Sequence, residues 1–386
     1  MSAQLELFPR TDTQTIIVGD CHLKMRGMPS DSISCIVTDP PYGLSFMGKK
    51  WDYQLPSQAI WLEALRVCKP GAIMLCFGGT RTYHRLTCAI EDAGWEIRDC
   101  IMWLYGSGFP KSHNFGRQLG GEWAGYGTAL KPAYEPIIVA MKPLDGTYAQ
   151  NAEKWGVAGI NIDACRIPSN GEHKRSRGEV RGESFLNEAK GMYTPGRSYI
   201  PTNSDLGRWP ANIILDEEAG QALDEMSGES KSGLLGWNPT EKDSGMWKGK
   251  KRIAQRGHND SGGASRFFYC AKASSRERNE GLEGFEEQEK GVANGTKCAN
   301  SLKGPGNMMN PDKNSKMKNH HPTVKPLALM EYLIKLVMPP KDGVLLDPFA
   351  GSGSTLVAAK RQRVNAIGIE LSEEYAKIAK ERIEHA

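Results

Sequence analysis

What this sequence lacks narrows its class before any motif is read. Its nine cysteines include no Cys-x-x-Cys pair, and an odd number of isolated thiols suits a reducing compartment better than a disulfide framework. The adjacent His320 and His321 have no Cys or acid at metal-ligand spacing, and neighbouring rings diverge on regular structure, so no metal is expected. No stretch reaches the roughly eighteen apolar residues of a membrane span, and residues 1–10 show neither the basic start nor the apolar run of a signal peptide. A cytoplasmic protein with no membrane partner is the expectation. Strong charge is missing too. The formal net charge is +4 over 386 residues, so affinity for nucleic acid would need a locally basic surface. With 39% hydrophobic and 24% charged residues, the sequence is ordinarily globular, with room for two or three domains of roughly 150 residues each.

Two stretches carry chemistry. The apolar run Ser34-Cys35-Ile36-Val37 leads directly into Thr38-Asp39-Pro40-Pro41-Tyr42, a strand delivering a rigid polar turn. In open α/β sheets ligands bind beyond the carboxyl ends of the strands, which is where Asp39 falls. Two successive prolines fix φ and remove two backbone donors, leaving nearby carbonyls for a ligand. Tyr42 adds a flat face on which a planar base can stack. The same residues would also make an ordinary Pro-rich turn with a capping Asp, so the motif needs support from elsewhere.

That support lies near the far end, where Val344-Leu345-Leu346-Asp347 runs into Pro348-Phe349-Ala350-Gly351-Ser352-Gly353-Ser354-Thr355 and then a helical Leu356-Val357-Ala358-Ala359-Lys360. Glycines let a ligand approach the backbone, and free amides at a helix start favour polar or anionic groups. Glu370 closes the next apolar run, Ala366-Ile367-Gly368-Ile369, at about the twenty-residue distance at which an acid meets ribose hydroxyls. Leu356 stands where the dinucleotide fingerprint has its third glycine, which argues against a nicotinamide enzyme.

Together the two stretches resemble the amino-group DNA methyltransferases that use S-adenosylmethionine. Asp39-Pro40-Pro41-Tyr42 matches that family's catalytic motif, and Asp347-Pro348-Phe349-Ala350-Gly351-Ser352-Gly353 its cofactor motif. With the catalytic motif first, the order resembles the permuted beta class. The resemblance covers both ends of the chain well and the middle poorly. It implies an α/β fold, the class I methyltransferase (Rossmann-like) sheet of seven mostly parallel strands. The catalytic half would span 1–142, an inserted target-recognition region 143–318 and the cofactor half 319–386. It implies further that Asp20, in Gly-Asp-Cys, accepts from the cofactor's adenine amino group with Cys21 beside it. In His-Pro-Thr-x-Lys-Pro, Thr323 and Lys325 would hold the methionine carboxylate. The implied cofactor set is Asp20, Cys21, Asp39, Thr323, Lys325, Asp347, Pro348, Phe349, Gly351, Ser352, Gly353, Thr355 and Glu370, and the catalytic set is Asp39, Pro40, Pro41 and Tyr42. S-adenosylhomocysteine would be the product and double-stranded DNA the partner. A homodimer and a cognate restriction endonuclease are the further partners under this reading.

Between the motifs the chain alternates strand and helix. Residues 59–68 space Trp61, Leu62, Leu65 and Cys68 as on one helix, which Lys69-Pro70-Gly71 stops. Residues 72–77 read as a strand buried on both faces, 80–93 as a helix, and 96–103 and 134–141 as strands. Those at Ile16, Ile36, Val344 and Ile367 complete the seven. Met330, Leu333, Ile334 and Val337 share a helix face, and the segment from Ser372 reads as a capped amphipathic helix with a structural role. Cys35, Cys76 and Cys100 read as small core residues.

Residues 43–53 have the composition of a loop able to close over a base, or equally of an inert surface loop. In the glycine-punctuated stretch 106–114, Lys111, His113 and Asn114 either line the base pocket and DNA path or satisfy a turn network of their own. From 143 to 318 the alternation gives way to Gly, Ser, Asn and Lys, with basic clusters at Lys174-Arg175-Ser176-Arg177 and at Lys248-Gly249-Lys250-Lys251-Arg252. Single clusters are usually solvated faces. A segment this long is usually functional or disordered, however, and the resemblance assigns DNA reading to it. Its apolar pieces Ile213-Ile214-Leu215 and Phe267-Phe268-Tyr269 point to parts docked on the core.

An exocyclic amine delocalises its lone pair into the ring and must localise it on nitrogen to attack a methyl group, which acceptors for its hydrogens achieve. Asp39 and the Pro40 carbonyl are assigned that task while Tyr42 stacks on the flipped base, its hydroxyl idle. Positioning and electrostatics carry the reaction. There is no Pro-Cys nucleophile of the kind C5-cytosine chemistry needs. The reading is methylation of adenine N6 in duplex DNA, since the N4-cytosine subclass more often has Ser in place of Asp39. N4 of cytosine stays open, as does a catalytically silent DNA-binding protein on the same scaffold.

Overall fold

A computed structural model of the protein describes residues 13–44, 52–108, 112–169, 207–231, 260–271, 277, 279–284, 288–289, 316–319, 321 and 324–386. Its centre is one sheet built from β1 (Gln14–Val18), β2 (Ile33–Thr38), β3 (Cys68–Phe77), β4 (Glu96–Leu104), β5 (Tyr134–Met141), β6 (Ile213–Asp216), β7 (Tyr269–Ala271), β8 (Val344–Asp347) and β9 (Asn365–Glu370). The spatial order is β1-β9-β8-β2-β3-β5-β4-β6-β7. Only β5 runs against its neighbours. The seven strands expected from sequence are present. Two more lie in the 143–318 segment and extend the sheet beyond β4: β6 takes up the apolar piece Ile213-Ile214-Leu215, whereas β7 begins only at Tyr269, the last residue of the other piece, whose Phe267 ends a short 3-10 helix.

Every residue of β2 is buried, which its unbroken Ile-Ser-Cys-Ile-Val-Thr run requires of a strand with both faces covered. One face carries α1 (Cys21–Arg26), α2 (Gln58–Val67) and α3 (Tyr83–Asp92), whose Met25, Trp61, Ala64, Leu86 and Ile90 pack on Ile36, Met74 and Ile138. The other face carries α6 (Leu327–Val337), α7 (Ser354–Arg361) and the end of α8 (Glu373–His385), against Cys35, Val37, Leu75 and Leu345. Between these lie α4 (Tyr148–Trp155) and α5 (Glu217–Ser227). Strand β3 begins at Cys68, earlier than the sequence indicated, because Lys69-Pro70-Gly71 forms an irregular start to the strand with Gly71 at φ +77°. Cys35 and Cys76 are buried as expected, whereas Cys100 is only half-buried. No helix among the described residues is long and apolar enough to cross a membrane.

Parallel β1, β9, β8 and β2 end on the same edge, and this sets the acids Asp20, Glu370, Asp347 and Asp39 along it. Antiparallel β5 begins at that edge. Phe77 at the end of β3 pairs with Ile137, so Glu135, two residues earlier, projects past the end of β3 towards Asp39.

Candidate active site

A cavity of about 820 Å³ opens along this edge. Its wall includes Asp20 and Glu370 at one end, Gly351 and Ser352 in the middle, and Asp39, Tyr42, Glu135 and Lys325 at the other. That volume is in the range of small-molecule sites. Among the described residues, no group of three or more His, Cys, Asp or Glu is arranged to hold a metal.

At the glycine end, Glu370 Oε2 accepts from the Gly351 amide at 2.8 Å and Oε1 from the Ser372 amide at 2.8 Å. Burial raises its pKa against these hydrogen bonds. Gly351 and Gly353 have φ of +53° and +80°, a region that glycine enters without penalty. Gly351 and Ser352 line the cavity, while Gly353 lies behind the wall, where a Cβ would come within 2.8 Å of the Ala379 Cβ of α8. Its glycine is thus needed for packing the loop on a helix.

Buried Arg382 of α8 donates to the Ser352 carbonyl at 2.6 Å, so the terminal helix, expected to be merely structural, also holds the loop. Asp20 caps α1, its Oδ1 accepting from the Leu23 amide at 3.0 Å. Burial first, and the neighbouring Asp20 second, push the Cys21 thiol up to about 12. Asp347 is buried, with Oδ1 accepting from Thr38 Oγ1 at 2.6 Å and from the Phe349 amide at 3.0 Å. One carboxylate thereby joins the strand before the glycine loop to the strand before the Asp39 turn. Burial raises its pKa to about 6, against hydrogen bonds from Thr355, Thr38 and Phe349. Pro348 and Phe349 complete this stretch of wall.

The Asp39 end is a close cluster. Asp39 Oδ1 accepts from Tyr42 Oη at 2.7 Å and Oδ2 from Lys325 Nζ at 2.7 Å. Glu135 Oε2 lies 3.0 Å from Tyr42 Oη and 3.1 Å from Lys325 Nζ. Burial raises the Asp39 pKa, Lys325 opposes the rise and Glu135 adds to it. Burial would lower the Lys325 pKa, but Asp39 and Glu135 together hold it above the ordinary lysine range. Each carboxylate oxygen has two lone pairs, so Asp39 keeps acceptor capacity for a base amine. Asp52, buried, accepts from the amides of Tyr42, Gly43 and Leu44 at 2.7, 3.0 and 3.2 Å and fixes the turn from behind.

The structure thus gathers Asp39, Pro40, Pro41, Tyr42, Asp20, Cys21, Lys325, Asp347, Pro348, Phe349, Gly351, Ser352, Thr355 and Glu370 around one cavity. It directs Lys325 to the Asp39 carboxylate rather than towards the glycine end. The Tyr42 hydroxyl, idle in the sequence reading, joins two carboxylates. His113 and Asn114 stand outside the cavity wall. The His113 amide donates to Thr128 Oγ1 at 2.9 Å, and Asn114 Oδ1 accepts from the Arg117 amide at 3.2 Å. They form a turn network, and Tyr105, Pro132 and Tyr134 take the wall instead. Thr323, Lys111, Lys250, Lys251, Arg252, the cluster at 174–177 and residues 45–51 of the expected closing loop lie outside the described residues. Glu135 and Asp52 were missed. The one signal for Glu135 was an acid in an otherwise apolar strand, and Asp52 had none.

A family model described as DNA methylase, for N6/N4 methyltransferases, matches residues 33–381. Over 64 residues, 17% of this chain and 21% of that protein, there is 47% identity to the type II methyltransferase M.ScaI of Streptomyces caespitosus. Over 69 residues, 18% of this chain and 25% of that protein, there is 46% identity to the type II methyltransferase M2.DpnII of Streptococcus pneumoniae. The chain therefore matches a quarter or less of the length of these relatives. The crystal structure of the M1.HpyAVI-SAM complex is similar at a TM-score of 0.40 and 17% identity, covering 96% of this chain and 100% of that chain.

Proposed function

Because this chain belongs to the N6/N4 family of DNA methylases, we propose that it transfers a methyl group from S-adenosylmethionine to N6 of a flipped adenine in duplex DNA. The observation that carries the reading is the single cavity joining the glycine loop and Glu370 to Asp39 and Tyr42. A donor held at one end and an amine held at the other meet within it. The residues fit such a donor. Glu370, Gly351, Ser352 and Asp20 offer carboxylate and backbone groups suited to a nucleoside, and the bound donor would supply an electrophilic methyl.

The chain's own residues handle the amine. Asp39 accepts an N–H, and an anionic acceptor strengthens that bond, drawing the lone pair onto nitrogen. The Tyr42 ring packs over Gly79, where a Cβ would lie 3.1 Å from the ring, and offers the base a stacking face. The turn is held from two sides, by Asp52 on its amides and by Thr82 Oγ1 on the Tyr42 carbonyl at 2.7 Å, so the acceptors are positioned before the base arrives. Residues 1–142 and 319–386 share the chemistry in this reading, and 143–318 reads the DNA.

Mass spectrometry of nucleosides from DNA incubated with the protein and S-adenosylmethionine tests it, with N6-methyladenine expected. N4-methylcytosine would move the target and keep the mechanism. No modified base, together with calorimetric binding of DNA but not of the donor, would make the chain a silent DNA-binding scaffold.

A further inference from the structure

We infer that Glu135 is the outlet of a proton relay, receiving through Asp39 and Tyr42 the proton that the target amine must lose. The inference rests on the amine methylation proposed above. Once the nitrogen has used its electron pair to form the N–CH₃ bond, the methyl's former bonding pair leaving with the donor, it carries one N–H proton in excess. Asp39 faces the amine and takes that proton first.

The hydrogens of the cluster show where it goes next. Lys325 has three N–H hydrogens and three acceptors, Asp39 Oδ2 at 2.7 Å, Glu135 Oε2 at 3.1 Å and Tyr42 Oη at 3.3 Å. Tyr42 has one hydroxyl hydrogen, yet its Oη lies 2.7 Å from Asp39 Oδ1 and 3.0 Å from Glu135 Oε2. A single hydrogen serves two carboxylates. When Asp39 is protonated it donates to Oη, and the hydroxyl hydrogen passes to Glu135 Oε2. The step ends with Asp39 again a carboxylate, Tyr42 again a phenol and Glu135 a carboxylic acid.

Two features set the direction. Lys325 is closer to Asp39 than to Glu135, 2.7 against 3.1 Å, so its charge stabilises a carboxylate at Asp39 more than one at Glu135. Two carboxylates and one ammonium also leave this cluster with net charge −1, where the side chains are only 7–23% exposed. An unbalanced buried charge is costly, and the amine's proton balances it. The ionisable groups facing Glu135 are Asp39, Tyr42, Lys325 and, from the end of β4, Tyr105, with Asp347 and Cys76 beyond Asp39.

The test compares wild type, Glu135→Gln, Tyr42→Phe and the double variant by single-turnover methyl transfer across pH. Infrared titration of the carboxyl groups in the enzyme alone runs beside it. Glu135→Gln should slow transfer about a hundredfold, in the range of general acid–base contributions, and displace the acidic limb of the profile. A carboxylic-acid band should vanish from the titration while calorimetric affinities for donor and DNA stay within about twofold. Tyr42→Phe cuts the same path midway, so the double variant should be no slower than the slower single one. A Glu135→Gln profile that superimposes on wild type, an unchanged infrared band or additive losses would overturn the relay. If Glu135→Gln shows no cooperative melt, Tyr42→Phe decides, because it keeps both carboxylates and a wild-type profile from it overturns the relay. A wild-type enzyme that methylates no base amine overturns the underlying reading instead.

Discussion

Asp39 works in a setting that opposes its own ionisation. Burial raises its pKa, Lys325 counters the rise and the Tyr42 hydroxyl adds a hydrogen bond. Replacing Asp39 by Ala should reduce methyl transfer on the order of a hundred- to a thousandfold, as removal of one preorganised electrostatic partner does, while calorimetric donor affinity stays near wild type. An active Asp39→Ala enzyme would refute the assignment. Lys325→Met removes the cation between two carboxylates. The Asp39 pKa then climbs further, and the acidic limb of the pH–rate profile should move to higher pH. Were Lys325 merely a ligand for the donor, that limb would stay and donor affinity alone would fall. Asp347 gives a stability prediction whose sign follows from its folded pKa, raised from 3.8 to about 6. A group shifted upwards favours the folded state most below its unfolded pKa and loses that contribution as pH rises through the folded value, here on the order of 3 kcal/mol. Asp347→Asn keeps an oxygen for Thr38 and Phe349 but cannot titrate. Its melting temperature should therefore be flatter than that of wild type between about pH 4 and 6, as followed by calorimetric melts.

Among the elements, the glycine loop and α8 depend on each other. Gly353→Ala would place a methyl 2.8 Å from Ala379 Cβ at φ +80° and should cost about 1–3 kcal/mol in unfolding free energy. Adding Ala379→Gly should relieve the contact with that Cβ but leave the backbone Cα of residue 379 at 3.0 Å and the φ strain, and add a helix penalty of about 1 kcal/mol, so the rescue seen in denaturant melts would be partial. Full rescue would show that the conformation itself carries no strain. Packing of this kind explains what the sequence could disclose. Strand β8, the glycine turn and α7 are contiguous, so spacing revealed all three, and the same holds for β2 and its turn. Glu135 reaches the site only because β5 runs antiparallel, Lys325 only because the segment before α6 crosses to Asp39, and Arg382 only because α8 folds back under the loop. Each depends on tertiary placement, to which a local pattern is blind. Strand β6 was visible as an apolar piece and β7 only at its first residue, Tyr269, but their pairing with the β4 edge was not.

Over the whole molecule, the net charge of +4 is too small to drive DNA binding, so the basic clusters of the 143–318 segment would have to neutralise the phosphates. Replacing Lys250, Lys251 and Arg252 by Ala should weaken DNA binding and reduce the slope of log K against log salt by about one for each phosphate left without its cation. An unchanged slope would make this cluster a solvated face. The order of the strands also bears on how the molecule comes to exist. Strand β8 inserts between β9 and β2, and the Thr38–Asp347 hydrogen bond closes a separation of 309 residues. During synthesis β2 and the Asp39 turn emerge early, but the strand that covers their open edge comes late. Until it arrives that apolar edge is an invitation to wrong pairing, and long-range closures of this kind fold slowly. A ribosome-bound chain stopped before Val344 would lack both the glycine loop and the partner that fixes the end of β2. Under the proposed function, methyl transfer could begin only after β8 and β9 have left the ribosome, so an unfinished chain would be inactive whatever substrate it met.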